Sequence, residues 1–375
     1  MKVICAKETL LKGIQIVSPV ASSRPALPVL ANFLFEAKED KIMLSSTDLE
    51  IAVKCYIKGE IITEGGITIP ARKFADIVKE LSDENSIEIH VDKSSSQITI
   101  ISGASRFNLS GISREEYPVI PDFLKDNNFS IKRDNFVSIL KKTVFAVSKE
   151  ETQKVVLKGL YFVVEEGKLK IVATDGRRLA LAISDDIDSS IKTTAIAAAK
   201  SVAELIRLLG VAESKDEMIK VAISENRYAV EFEDITFIST LLEGIYPNYQ
   251  QVIPEKTDYM AKLNLKDTLT AVKQISLLAE KSSNATSQAI KFSFTKNTLK
   301  ISAATAGVGS AQTEIKIDYD DDDAEVNFPP NHIREFLQNV ETEFINFGFS
   351  ATGKPAKITP EKDEKYLYVV MPMRG

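Results

Sequence analysis

Residues 172–182, VATDGRRLALA, set a carboxylate, a glycine and two guanidinium groups between two apolar runs. Asp175 beside Arg177 and Arg178 could serve as a general acid or metal ligand, with an arginine clamping a phosphate. Such chemistry needs more than these neighbours. Phosphoryl transfer calls for a phosphate-cradling loop or further carboxylates, and the chain has no GxxxxGKS, GxxxxGKT or GxGxxG. ATAGVGSA (304–311) offers small residues without a lysine, and adjacent carboxylates in DYDDDDAE (318–325) point in different directions, as in a solvated loop. His90 and His332 are the only histidines, which argues against histidine-based acid and base chemistry. Cys5 and Cys55 form no CxxC and read as buried, reduced thiols. No metal and no cofactor is expected. The Asp-Gly pair fits a strand-to-strand turn in which glycine supplies positive φ. That explains Asp175 and Gly176 but leaves Arg178 and Leu179 without a reason.

The elements that would position this cluster recur along the chain. TIPARKFADIVKEL (68–81), AIAAAKSVAELIRLL (195–209) and NFPPNHIREFLQNV (327–340) each read as a strand end followed by an amphipathic helix, with Ile69, Ile196 and Phe328 in matching places. Their offsets are 127 and 132 residues. Helical patterns opening at Glu8, Asp134 and Asp267 are spaced 126 and 133 apart, and the strand-and-turn segments carrying Thr47, Thr174 and Thr305 are spaced 127 and 131 apart. YPVIP (117–121) and YPNYQQVIP (246–254) each close a unit. The spacing predicts an α+β protein of three repeated domains, each of mostly antiparallel sheet with two helices, over residues 1–122, 128–254 and 256–375. TDGRRLA is then the second copy of a turn that reads STDLEIA in the first.

A chain of 375 residues exceeds one comfortable core, and 44% hydrophobic with 27% charged residues describes a folded protein. No stretch has the apolar length of a membrane span, and the first residues lack the apolar core of a signal peptide, so a cytoplasmic protein without membrane partners is expected. The net charge of −6 is unevenly spread: the six helical segments sum to +8, leaving −14 elsewhere. On a helical wheel Lys142 and Lys149 lie almost opposite Leu140, while Lys200 and Arg207 lie opposite Leu205. Lys12 and Arg72 occupy comparable polar faces. Helices that pack by one side and present cations with the other suit phosphates contacted without sequence reading.

TDLE (47–50), ATDGRRLA (173–180), YPNYQQVIP and the terminal VVMPMR (369–374), with SRPALPVLAN (23–32), IPARKF (69–74) and SRFNLSG (105–111), together resemble the bacterial sliding clamps, the beta subunits of DNA polymerase III, over the whole chain. The resemblance implies the DNA clamp fold, two subunits joined head to tail in a ring with duplex DNA passing through it, and no catalysis. It implies a DNA contact at Arg24 in the SRPALP loop. It also implies a groove for short peptides with Leu and Phe anchors, formed by Leu157, Thr174, Gly176, Arg178, Leu179, Pro247, Val252, Val369, Met371, Pro372, Met373 and Arg374. The partners implied are the polymerase alpha subunit, the clamp loader and other proteins of replication and repair. Lys73, Ile77 and Arg106 on one subunit are expected to face Ile275 and Leu278 on the other. Gln251 stands where many members carry Arg, Arg177 where His or Tyr is common, and Gly375 where some end in a bulkier residue. The competing reading is an enzyme acting on a nucleotide or phosphorylated substrate through Asp175 with Arg177 or Arg178.

Overall fold

The computed structural model describes residues 1–21, 26–92, 95–123, 127–151, 154–187, 191–211, 217–279, 289–305, 307–350 and 353–373. Among them are six α-helices: α1 (Lys7–Val17), α2 (Ala71–Glu80), α3 (Arg133–Val144), α4 (Ala199–Val211), α5 (Leu265–Ala279) and α6 (Pro330–Leu337). The chain forms two compact units, one of Met1–Arg133 with Arg207–Leu241 and one of Asp134–Ile206 with Leu242–Gly375.

The first unit contains two sheets. One orders Glu60–Thr63, Lys2–Cys5, Ile87–Val91, Gln97–Ser102 and Ser105–Ser110. The other runs Asn128–Lys132, Met218–Ile223, Arg227–Phe232, Ile235–Thr240, Ile51–Ile57, Lys41–Thr47, Asn32–Lys38 and Gly65–Pro70. In the second unit an eight-stranded sheet orders Thr193–Ala198, Gly159–Glu165, Lys168–Thr174, Arg178–Ser184, Tyr366–Val370, Ala356–Pro360, Phe344–Phe349 and Tyr259–Asn264. A four-stranded sheet completes it: Gly309–Lys316, Thr298–Thr305, Ile290–Thr295 and Ala324–Phe328. The ladders are antiparallel.

The two large sheets explain why three repeats make two bodies. Ile235–Thr240 of the middle repeat pairs with Ile51–Ile57 of the first, and Arg178–Ser184 of the middle repeat pairs with Tyr366–Val370 of the last. Backbone hydrogen bonds therefore run across the repeat boundaries, and the middle repeat contributes half of its strands to each unit.

Local sequence sets the helix starts. Pro70 ends a strand and precedes α2, and Pro330 is the first residue of α6, where a fixed φ suits the helix and a missing N–H costs nothing. The helix α2 turns Ala71, Phe74 and Val78 inward at spacings of three and four, and Phe74 meets Phe33 of the sheet at 5.7 Å between ring centroids. Helix α3 is shorter than its pattern suggests. Helix α3 stops at Val144, and the following backbone turns through Ala146 N–H to Thr143 O at 3.0 Å, which leaves Lys149 outside the helix.

Candidate functional site

The turn at 174–178 is held by its own side chains. Gly176 has φ +86°, the left-handed conformation that glycine adopts most cheaply. Thr174 Oγ1 donates to the Arg178 carbonyl at 2.5 Å and accepts from Gly176 N–H at 3.1 Å. Asp175 Oδ1 accepts from the N–H groups of Arg177 (2.9 Å) and Arg178 (3.0 Å), while its Oδ2 accepts from Arg178 Nε at 2.9 Å. Both oxygens of the candidate catalytic carboxylate are thus engaged in shaping the turn.

Arg178, which the turn alone did not explain, is 6% exposed. A guanidinium with so little water must be paired. Besides Asp175 it donates to Glu335 Oε2 of α6 and to the Phe145 carbonyl at 2.7 Å, and it lies 5.6 Å from the centre of the Phe145 ring. Burial works against ionised Glu335, but the hydrogen bond and charge of Arg178, with help from Lys149, hold its carboxyl below the usual value. His332, whose Nε2 is 3.9 Å from Asp175, is pushed below the ordinary histidine value by burial and by Arg178, against the pull of Asp175 and Glu335. Arg177 points outward, 3.6 Å from Glu150. Neither cysteine is a ready nucleophile: burial lifts Cys5 and Cys55 to about 12.

Beside this turn the sheet gathers an apolar floor. Leu179 lies opposite Val369 and Arg178 opposite Val370, and Met371 N–H donates to the Arg177 carbonyl at 2.8 Å. A short helical turn, Val155–Lys158, brings Val156 and Leu157 into the same cluster, with Val172, Leu181, Ile196 and Tyr246. Tyr246 stacks on Tyr161 at 4.8 Å, and its hydroxyl donates to the Val172 carbonyl at 3.5 Å. Apolar groups remain at the rim: Ile245 is 94% exposed, Val252 49% and Met371 40%, and Pro247 is also exposed. Pro372 and Met373 are half-buried, and Met373 N–H donates to the Asn327 carbonyl at 2.8 Å. Gln251 is exposed. Arg374 and Gly375 lie outside the described residues.

The sequence missed what α6 contributes. His332 and Glu335 read there as ordinary members of an amphipathic helix, because nothing in a helical period reports a partner 157 residues away. Tyr246 was discoverable, standing at the start of YPNYQQVIP, and Ile245 immediately precedes it.

The basic residues have varied surroundings. Arg24 lies outside the described residues. Arg72 on α2 and Lys200 on α4 are exposed, and Lys12 on α1 is half-buried in a cleft of about 820 Å³ with Lys58, Glu8, Glu217, Glu233 and Asp234. Lys142 pairs with Asp363 at 3.1 Å and sits 5.2 Å from the Tyr366 ring centre. Lys149 pairs with Glu335 at 3.1 Å. Arg207 donates to the carbonyls of Gln15 (3.3 Å) and Ile16 (3.0 Å), capping the last turn of α1. Lys142, Lys149 and Arg207 thus have partners within their own units, whereas Arg72 and Lys200 are exposed.

Of the residues expected at the subunit contact, Lys73 and Arg106 are exposed, Ile77 and Leu278 are half-buried, and Arg106 stands on an edge strand beside exposed Phe107. Ile275 corrects the expectation. It is 2% exposed and belongs with Thr268, Ala271, Val272 and Ala279 on the buried stripe of α5, so it packs inside its own unit. Leu277 is the outward apolar residue there, 76% exposed.

No helix among the described residues is long and apolar enough to cross a membrane. Models of the DNA polymerase III beta subunit match the chain in sequence: the N-terminal domain over residues 1–121, the central domain over 130–248 and the C-terminal domain over 250–374. A beta sliding clamp of Chlamydia muridarum is 29% identical over 375 residues, covering 100% of this chain and 99% of its own. The crystal structure of the DNA polymerase III subunit beta from Pseudomonas aeruginosa aligns over 100% of both chains with TM-score 0.93 and 29% identity. A P. aeruginosa sliding clamp bound to griselimycin gives the same TM-score, identity and coverage. With all three of its domains matched in order, and with the motif-bearing strands paired side by side, the chain belongs to the family of DNA polymerase III beta subunits, the beta sliding clamps.

Proposed function

We propose that two copies of this chain close head to tail around duplex DNA and that each copy docks short peptides on the surface framed by Leu157, Leu179, Tyr246, Val252, Val369 and Met371. The chain performs no chemistry of its own; it tethers the replicative polymerase through the alpha subunit, and also serves the clamp loader and other replication and repair proteins, in the cytoplasm. The observation that carries this reading is the pairing of Leu179 with Val369 beneath an exposed apolar rim, within a chain that belongs to the clamp family throughout. A floor of aliphatic and aromatic side chains with a methionine at its edge suits Leu and Phe anchors and can repack around different peptides. The griselimycin-bound relative supports a ligand-taking surface in this fold.

For DNA, the candidates remain Arg24, Lys12, Arg72, Lys142, Lys149, Lys200 and Arg207. Several are tied to carboxylates or carbonyls, which weakens their hold on phosphate. Weak, distributed attraction permits sliding, because no single contact must break at high cost. The subunit contact would join the edge strands Ser105–Ser110 and Gly309–Lys316, whose outer backbone groups lack a ladder partner in the described sheets. Lys73, Ile77 and Arg106, with Phe107, would face Leu277 and Leu278. We place the three domains at residues 1–122, 128–254 and 256–375.

Deleting residues 371–375 separates the two halves of the proposal. A fluorescent peptide with Leu and Phe anchors should lose binding at least tenfold while sedimentation still reports a dimer. Retained peptide binding, or dissociation to monomers, would show that the groove is misplaced.

A further inference from the structure

The first repeat contains the frame of the groove a second time. Thr47 Oγ1 donates to the Ile51 carbonyl at 2.8 Å and accepts from Leu49 N–H at 3.0 Å, as Thr174 does with Arg178 and Gly176. Asp48 Oδ1 accepts from the N–H groups of Glu50 (3.0 Å) and Ile51 (2.8 Å), as Asp175 does from Arg177 and Arg178. Leu49 has φ +80° where Gly176 has +86°. A leucine adopts that conformation only when its surroundings impose it, so the turn is specified by the frame and not by glycine.

The strand pairing repeats as well. Ala52 lies opposite Ile238 where Leu179 lies opposite Val369, and Thr240 N–H donates to the Glu50 carbonyl at 2.9 Å where Met371 N–H donates to that of Arg177. The short helical turn Pro28–Ala31 buries Val29 and Leu30 in the place of Val156 and Leu157. Buried Tyr117 accepts from Thr47 N–H at 3.1 Å, and buried Tyr246, which like Tyr117 opens a YP sequence, reaches the matching strand of the second repeat by donating to the Val172 carbonyl at 3.5 Å.

The difference lies in what covers the frame. Ala52 and Lys54 stand where the groove has Leu179 and Leu181, so the wall is lower by one leucine side chain, and a buried cation replaces the second leucine. Ile120 fills the space, packing against both the Val29, Leu30 and Tyr117 cluster and the Ala52, Ala229 and Ile238 cluster. Phe123 packs against the second cluster. Between them Asp122 pairs at 2.7 Å with Lys54, whose side chain is only 10% exposed.

We propose that residues 120–123 are the built-in occupant of a second peptide groove in the first unit, which leaves one open groove per chain. The ligand class of this second site is a short peptide with an aliphatic and an aromatic anchor flanking a carboxylate, the carboxylate being read by Lys54. The proposal rests on the reading of the Leu179 and Val369 surface as a peptide groove, since the two share a frame.

The test uses the full chain and a labelled synthetic peptide of residues 117–123, YPVIPDF. The double variant Ile120→Ser, Phe123→Ser should bind one more equivalent of this peptide per chain than the wild type. Adding Lys54→Ala should weaken that extra binding at least fivefold. A double variant that melts as cooperatively as the wild type yet binds no additional peptide would overturn the proposal. If the double variant does not fold, Ala52→Leu serves instead. By restoring the high wall it should expel Ile120 and Phe123 and speed chymotryptic cleavage after Phe123 at least tenfold; unchanged cleavage would overturn the proposal. The cleavage arm does not depend on peptide binding at Leu179 and Val369, so failure of that reading would appear separately, in the deletion of residues 371–375.

Discussion

Arg178 has almost no access to water, and its three partners come from three different segments: Asp175 in its own turn, the Phe145 carbonyl after α3, and Glu335 on α6. It therefore locks the 174–178 turn to α6 and to the segment that follows α3. Removing one partner of a buried ion pair leaves the others desolvated and unpaired, so Arg178→Met should cost the second unit about 3 kcal/mol. The acid limb of stability has a defined sign. Glu335 has its carboxyl lowered in the folded state, so its contribution is complete above the ordinary value of 4.5 and is lost as pH falls through the lower folded value. His332 is also lowered, so the unfolded chain takes up its proton first and stability begins to fall once pH drops below about 6.5. Denaturant titrations from neutral to acid pH should show both losses in the wild type. In Arg178→Met the loss below 4.5 should be smaller, because Glu335 no longer gains from ionising; an unchanged acid limb would remove Arg178 from this role. At this scale the sequence reveals Asp-Gly and its positive φ, since turn chemistry is local. It cannot reveal Glu335 or Phe145, which meet Arg178 only through the tertiary fold.

Helix α5 shows what a wheel can and cannot decide. Positions 268, 271, 272, 275 and 279 recur at three and four residues and form the buried stripe, which places Ile275 in the core. Leu277 lies two residues further on, away from that stripe, and has no apolar reason to be exposed within its own unit. Two leucines in the run ISLLAE made the outward one hard to choose from sequence. Ile275→Ala should lower thermal stability by about 2–5 kcal/mol through a core cavity. Leu277→Lys should leave the melting of the monomer fold nearly unchanged and shift sedimentation from dimer to monomer. A Leu277→Lys protein that remains dimeric at micromolar concentration would exclude that residue from the subunit contact. The same scale explains α3, whose pattern ran on to Lys149 because Phe145, Ala146 and Val147 continue the apolar content while the backbone has already turned.

Across the whole molecule, the repeat was the most legible feature. Closely matching offsets of the threonines, of Ile69, Ile196 and Phe328, and of the helix starts predicted three copies with two helices each, and the family models match three domains in that order. The pairing of TDGRRLA with VVMPMR came from resemblance to a family, and Leu179 lies opposite Val369. What no spacing could disclose is that sheets run through the repeat boundaries and merge three repeats into two compact units, since strand alternation defines a face and not a neighbour. The central claim is that the chain holds DNA by enclosing it. Purified protein should be loaded onto nicked circular DNA and the bound fraction measured by gel filtration at about 0.15 M salt, before and after linearisation. The protein should be retained on the circle and lost within minutes once an end is cut; equal loss from circle and line, or equal retention on both, would show that it does not enclose DNA.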